Sequence, residues 1–166
     1  MGFTIMFYIV AAVTIGSALL MVISRNIFHS ALLMMVAFLG IAGVFILLNA
    51  DFLGVTQILV YAGAITIFIV FAIMFTIKGD MKKTNLFSKN VVPGALLSLV
   101  LIAVNAVMAL TTKWPLSSGT PPEETAREVA NLMLTKYVVA FEVTAVLLLA
   151  AMLGAIVIVK EVKKPS

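Results

Sequence analysis

Glu142 is the only strongly charged side chain that falls inside one of the long apolar runs of this 166-residue sequence. A charge at the centre of a membrane helix costs about 2.5–3.5 kcal/mol on insertion scales, so intramembrane acids tend to serve proton relays or bind water. Glu142 lies five residues past Tyr137, roughly 7–8 Å along a helix at 1.5 Å per residue. That depth lowers the cost without removing it. The functional reading is a desolvated proton-relay carboxyl facing protein. The competing reading is a near-interface acid that pairs with a neighbour or reaches outer water. No cation lies within an apolar run, so a relay partner would belong to another chain.

A second constellation lies between Gly54 and Thr66. Gln57 and Tyr61 are four residues apart and share a helix face. Thr56 and Thr66 add hydroxyls, and Ala62-Gly63-Ala64 makes a low-bulk patch. A helix or a water chain could approach the backbone there. The run then turns bulky and apolar, from Phe68 through Phe75. That polarity step fits a gate between wet and dry. Ordinary packing competes with it, because small residues in spans mostly let helices approach.

The remaining polar residues suggest plainer roles. Asp51 is placed to cap the helix that follows it. Asn105 is expected to donate a hydrogen bond to a neighbouring helix. His29, beside Arg25, reads as an interfacial anchor. Ala150/Ala151 with Gly154/Ala155 form a small-residue face suited to a partner helix. The ten Met residues read as adaptable packing. No nucleophile–base pair, phosphate loop or metal-ligand cluster appears. With no Cys and one His, thiolate and multi-His metal sites are excluded. The chain therefore shows no active site of its own.

The elements that must position these residues follow from composition. Hydrophobic residues make up 63% and charged residues 11%, with a mean hydropathy of +1.23. Soluble domains run at roughly 45–50% apolar and about 25% charged. A soluble globule this small could not hide so much apolar surface. Soluble enzymes, disordered tails and nucleic-acid-binding domains are ruled out. The net charge of +4 reflects residues between the apolar runs, where they act as topology signals.

A spanning helix needs about 20 apolar residues. Five stretches qualify, at 3–23, 30–48, 52–77, 91–110 and 137–159. The first lacks a basic leader and is read as a retained span. The third exceeds the minimum and has room for tilt or irregularity. Pro93 sits in the first turn of the fourth, where proline is tolerated. The fold class expected is an all-α membrane protein, one domain over 1–166. Residues 78–89 form a basic loop, and 111–136 form the one long loop, whose part from Glu123 to Leu134 suits a short surface helix. No repeat of fixed period is present, which argues against an inverted-repeat transporter.

Eight Lys and Arg residues lie in the first and third connections and the C-terminal tail, against three on the other side. The positive-inside rule then places the N-terminus and the 111–136 loop outside and the C-terminus in the cytoplasm. Five helices with so few internal polar groups do not enclose a pathway by themselves. A part of a larger membrane assembly is the natural reading.

The segment Asn49-Ala50-Asp51-Phe52-Leu53-Gly54-Val55-Thr56-Gln57-Ile58-Leu59-Val60-Tyr61-Ala62-Gly63-Ala64-Ile65 resembles the signature of the J subunit of bacterial NADH:quinone oxidoreductase. That family is the counterpart of the sixth mitochondrially encoded subunit of respiratory complex I and of the plastid G subunit. Asn26 and Ser30-Ala31-Leu32 resemble the family's first turn, with Ile27 where proline is usual. Phe141-Glu142, Leu147-Leu148-Leu149 and Gly154-Ala155 resemble its last span. The resemblance covers essentially the whole chain.

The resemblance implies a multi-pass subunit of a proton-translocating complex in the cell's inner (plasma) membrane, among other membrane subunits and lipid. NADH, FMN, iron–sulfur clusters and quinone would be handled by partner subunits, with no cofactor on this chain. It further implies a π-bulge near Tyr61-Ala62-Gly63 whose rotation makes or breaks a water path, moving residues such as Ile65 and Phe68. The gating candidates are thus Tyr61, Ala62, Gly63, Gln57 and Thr66, with Glu142 as a proton-path candidate. A relative taking electrons from ferredoxin or coenzyme F(420), an accessory subunit of a multisubunit cation/proton antiporter, and a stand-alone scaffold are the alternatives.

Overall fold

A computed structural model describes residues 2–76, 91–113 and 124–160. The basic loop 78–89, the stretch 114–123 and the tail lysines Lys163 and Lys164 lie outside the described residues. The described residues form helices and short turns, without a strand. Five helices are long and apolar enough to cross a membrane.

The chain divides into two units, Met1–Thr120 and Pro121–Ser166. In the first, α1 (Gly2–Ile23) and α2 (Ile27–Leu47) are joined by a three-residue turn, so α2 runs back along α1. Asn26 caps α2: its Oδ1 accepts the N–H of Phe28 at 3.0 Å and that of His29 at 3.4 Å. This cap starts α2 at Ile27, three residues before the expected start at 30. Ile27 takes the first helical position, where the N–H has no intrahelical partner and proline is favoured for that reason. The Ser30 hydroxyl donates to the Met21 carbonyl at 2.7 Å and ties the two helix ends together.

Close packing of α1 on α2 rests on small residues. Ser17, Ala31, Ala37 and Ala42 are buried. Gly40 lies so close to Thr14 of α1 that no Cβ would fit. The hydroxyls in this region are satisfied locally, Thr14 donating to the Val10 carbonyl and Ser17 to that of Val13, both at 2.7 Å. Such back-bonding meets the need to pair polar groups without water.

A Schellman motif ends α2. Asn49 has φ of 56°, in the left-handed region that Asn tolerates. Its N–H donates to the Ile46 carbonyl at 3.0 Å, and that of Ala50 reaches back to Phe45 at 2.9 Å. The third span then opens with α3 (Asp51–Thr56). The cap position falls to Ala50, not Asp51, and no side chain caps it. Asp51 lies inside the first turn, where its charge complements the helix dipole. The span continues as a π-helix (Gln57–Ile65) and then α4 (Thr66–Thr76). It packs on α2 along its length.

The fourth span, α5 (Val91–Thr111), also belongs to the first unit. Asn105 donates to the Leu101 carbonyl of its own helix at 2.8 Å. The side chain is exposed, which leaves its second N–H for the interhelical role expected of it. A lone amide in an apolar environment takes the nearest free carbonyl lone pair, four residues back.

In the second unit, α6 (Thr125–Leu134) leads through a short turn into α7 (Val138–Val159). The surface helix expected up to Leu134 is present from Thr125. Every residue of α7 is exposed in the isolated chain, including the small-residue face at Ala151 and Gly154.

Candidate functional site

The π-helix is where backbone and side chains depart together from the ordinary pattern. Helices with i→i−4 bonding bury every third or fourth residue. The buried residues of the third span are Gly54, Gln57, Ala62 and Thr66. Their spacings are three, five and four. The step of five crosses the π segment, whose wider turn accommodates one extra residue. The extra residue keeps Ala62 and Thr66 buried and leaves Tyr61 and Ile65 exposed, at 45% and 39%.

Thr66 closes the segment. It is fully buried at 0% exposure. Its hydroxyl donates to the Tyr61 carbonyl at 2.8 Å, and its backbone N–H reaches the same carbonyl. Both bonds span five residues. The carbonyl displaced by the wide turn is thus satisfied twice within the helix, which matters where water is scarce. Gly63 sits one residue beyond Ala62, and a Cβ there would stand 3.2 Å from the Ile58 carbonyl oxygen, again five residues back. Glycine relieves that crowding.

The partner surface is α2. The ring of Phe38 meets that of Tyr61 edge to face, with centroids 5.7 Å apart at 69°. A Cβ on Gly54 would stand 2.9 Å from Ile46 and 3.5 Å from the Ala42 carbonyl, so the span enters its π segment from a tight crossing. Sequence reasoning singled out Gln57, Tyr61, Ala62, Gly63 and Thr66, and all five lie in or directly after the π-helix. It expected a single-turn bulge at Tyr61-Ala62-Gly63; the π-helix found covers nine residues, Gln57–Ile65. It passed over Phe38 and Gly54. Gly54 had a signal, three residues before Gln57 on the same face. Phe38 had none, since its role depends on how α2 crosses the span.

Glu142 lies in α7, in the other unit. It is exposed in the isolated chain and has no ion-pair or hydrogen-bond partner among the described residues. Two helical turns of apolar side chains follow it, from Val143 to Leu149, broken only by Thr144, whose hydroxyl bonds to the Ala140 carbonyl at 2.8 Å. The donor set of the chain, without Cys and with one His, does not fit a resident iron–sulfur cluster.

Residues 17–158 match the family described as NADH-ubiquinone/plastoquinone oxidoreductase chain 6. The chain is similar to NAD(P)H-quinone oxidoreductase chain 6 of Leptolyngbya boryana, 37% identical over 93% of this chain and 78% of the relative. It is 39% identical to the protein of that name from Synechocystis sp., over 94% of this chain and 80% of the relative. It is also similar to F(420)H(2) dehydrogenase subunit J of Methanosarcina mazei, 36% identical over 95% and 90%. A match of this extent, on a chain with five membrane-spanning helices, makes it a member of the NADH-ubiquinone/plastoquinone oxidoreductase chain 6 family.

Proposed function

We propose that this chain is a membrane subunit of a proton-translocating quinone oxidoreductase, and that its third span is a gate rather than a redox site. The carrying observation is the three–five–four spacing of Gly54, Gln57, Ala62 and Thr66. A π turn and an α turn differ by one residue. Interconversion would rotate the distal part of the span by about 100°, the angle per residue of an α-helix. Tyr61 and Ile65 would then replace Ala62 and Thr66 against α2. Small side chains would give way to bulky ones along one seam, and Phe68, 74% exposed here, would swing with them. A segment whose two registers differ by a few kcal/mol is a two-state element of this kind.

Electron transfer and the groups that carry it, including NADH, FMN, iron–sulfur clusters and quinone, belong in this proposal to partner subunits in the cell's inner (plasma) membrane. This chain contributes no catalytic residue. The gate acts on whether protons can pass when quinone is reduced elsewhere. The Methanosarcina relative's name pairs the same kind of subunit with F(420)H(2), so a different electron donor is the second reading, and the role of the third span is common to both.

The test is purification of the tagged chain in mild detergent. Co-elution with flavin- and iron–sulfur-containing subunits and quinone reductase activity is expected. Recovery as a lone, monodisperse five-helix protein would overturn the proposal.

A further inference from the structure

The helix α6 is amphipathic, and it carries a surface that neither the membrane spans nor the gate explains. Ala126, Val129, Ala130 and Met133 recur at i, i+3, i+4 and i+7, and Leu132 and Leu134 flank that stripe. Arg127, Glu128 and Asn131 fall on the opposite face. Leu132, Met133 and Leu134 are 46%, 37% and 61% exposed. Within its own unit the described residues leave this face largely open, Ala126, Ala130 and Met133 being exposed and Val129 half-buried.

We infer that this face lies in the headgroup–acyl boundary of the bilayer, with α6 flat on the membrane surface at the mouth of α7. What ties it to that level is its continuity with the span. The turn at Thr135, Lys136 and Tyr137 is closed by the Tyr137 N–H donating to the Leu132 carbonyl at 2.9 Å. The Thr135 hydroxyl donates to the Asn131 carbonyl at 2.6 Å. The last apolar residues of α6, Leu132 to Leu134, are thus held directly beside Tyr137, where the apolar span begins. Tyr137 is the kind of side chain that settles at the membrane–water interface. Lys136 stands over its ring at 5.7 Å, the pairing of an aromatic belt residue with a snorkelling amine. The charges of the polar face offset one another, Arg127 pairing with Glu124 at 3.6 Å. The attraction is accordingly apolar burial at a zwitterionic or anionic surface alike, in contrast to basic helices that need anionic lipid.

The inference rests on the reading of α7 as a membrane span of an assembled complex and is independent of the gate. The absence of native Cys allows single spin labels at Met133→Cys and Asn131→Cys, in the assembled complex in lipid nanodiscs. The expected result is an accessibility ratio of oxygen to a water-soluble nickel reagent several-fold higher at position 133 than at 131. That ratio should be unchanged when the lipid passes from zwitterionic to partly anionic. A label at 133 as open to nickel as at 131 would overturn the inference. So would a label at 133 closed to both reagents, which would mean that a protein neighbour covers the face. Both failures leave co-purification of the subunits, and hence the proposed function, untouched.

Discussion

The Thr66 hydroxyl holds the Tyr61 carbonyl from a position with no access to solvent. A hydrogen bond of this sort contributes about 0.5–1.5 kcal/mol net. Thr66→Val keeps the branched shape and removes the donor. The π register should lose up to about tenfold in population relative to the α register, the equivalent of about 1.4 kcal/mol. The assembled complex should then reduce quinone while moving fewer protons per electron pair, and Thr66→Ser should restore the ratio. An unaltered ratio in Thr66→Val would show that this hydroxyl does not hold the gate. Glu142 poses a separate question, because no described residue of its own unit pairs with it. Glu142→Gln preserves shape and hydrogen bonding and removes the carboxyl. If Glu142 relays protons, pumping should fall and lose part of its pH dependence. Pumping and turnover unchanged at every pH would leave Glu142 a packing residue. At this scale the sequence marked the turn around Asn26 but not the capping by which Asn26 starts α2. It misled at Asp51, because type does not say which residue of a turn takes the cap position, which here falls to Ala50.

The length of the third span and its Ala62-Gly63-Ala64 patch allowed an irregular helix there, and the resemblance gave a reason to expect it. The nine-residue extent of the π segment was not legible. What packing accounts for is one inserted residue: Gly54 is pinned at a tight crossing with α2 and Thr66 is buried twelve residues on, a spacing that a regular α-helix would turn to different faces. The helix ends were legible to within a few residues, and the larger shift at α2 came from a cap whose strength depends on backbone geometry at Asn26. Gly63→Val tests the element as a whole. A Cβ at this position would crowd the Ile58 carbonyl in the π register, and a branched side chain adds to the crowding. The α register should be favoured by about 1–2 kcal/mol, in the range of ordinary backbone and packing effects. The complex should assemble, and proton pumping linked to quinone should be lost. Intact pumping in Gly63→Val would place the gate outside this helix.

At the scale of the whole chain, the exposed faces carry the argument. The fourth and fifth spans bury none of their described residues within their own units. Composition made five spans legible, because 63% apolar residues in runs of this length have no other stable fate. Which subunits cover each span was not legible, since the small-residue face of α7 fits many partners. Orientation is a separate matter, set by where positive charge is retained during insertion. Eight Lys and Arg residues against three favour a cytoplasmic C-terminus and an outward loop before α7. Thr112 follows the end of α5 and Lys160 follows the end of α7, so the two report on opposite sides if both spans cross the membrane. In a chain without native Cys, an impermeant thiol reagent applied to intact cells should label Thr112→Cys and spare Lys160→Cys, with both labelled after permeabilisation. The reverse pattern would invert the topology and put α6 on the cytoplasmic surface, whereas labelling of both sites in intact cells would mean that α5 and α7 do not cross in opposite directions.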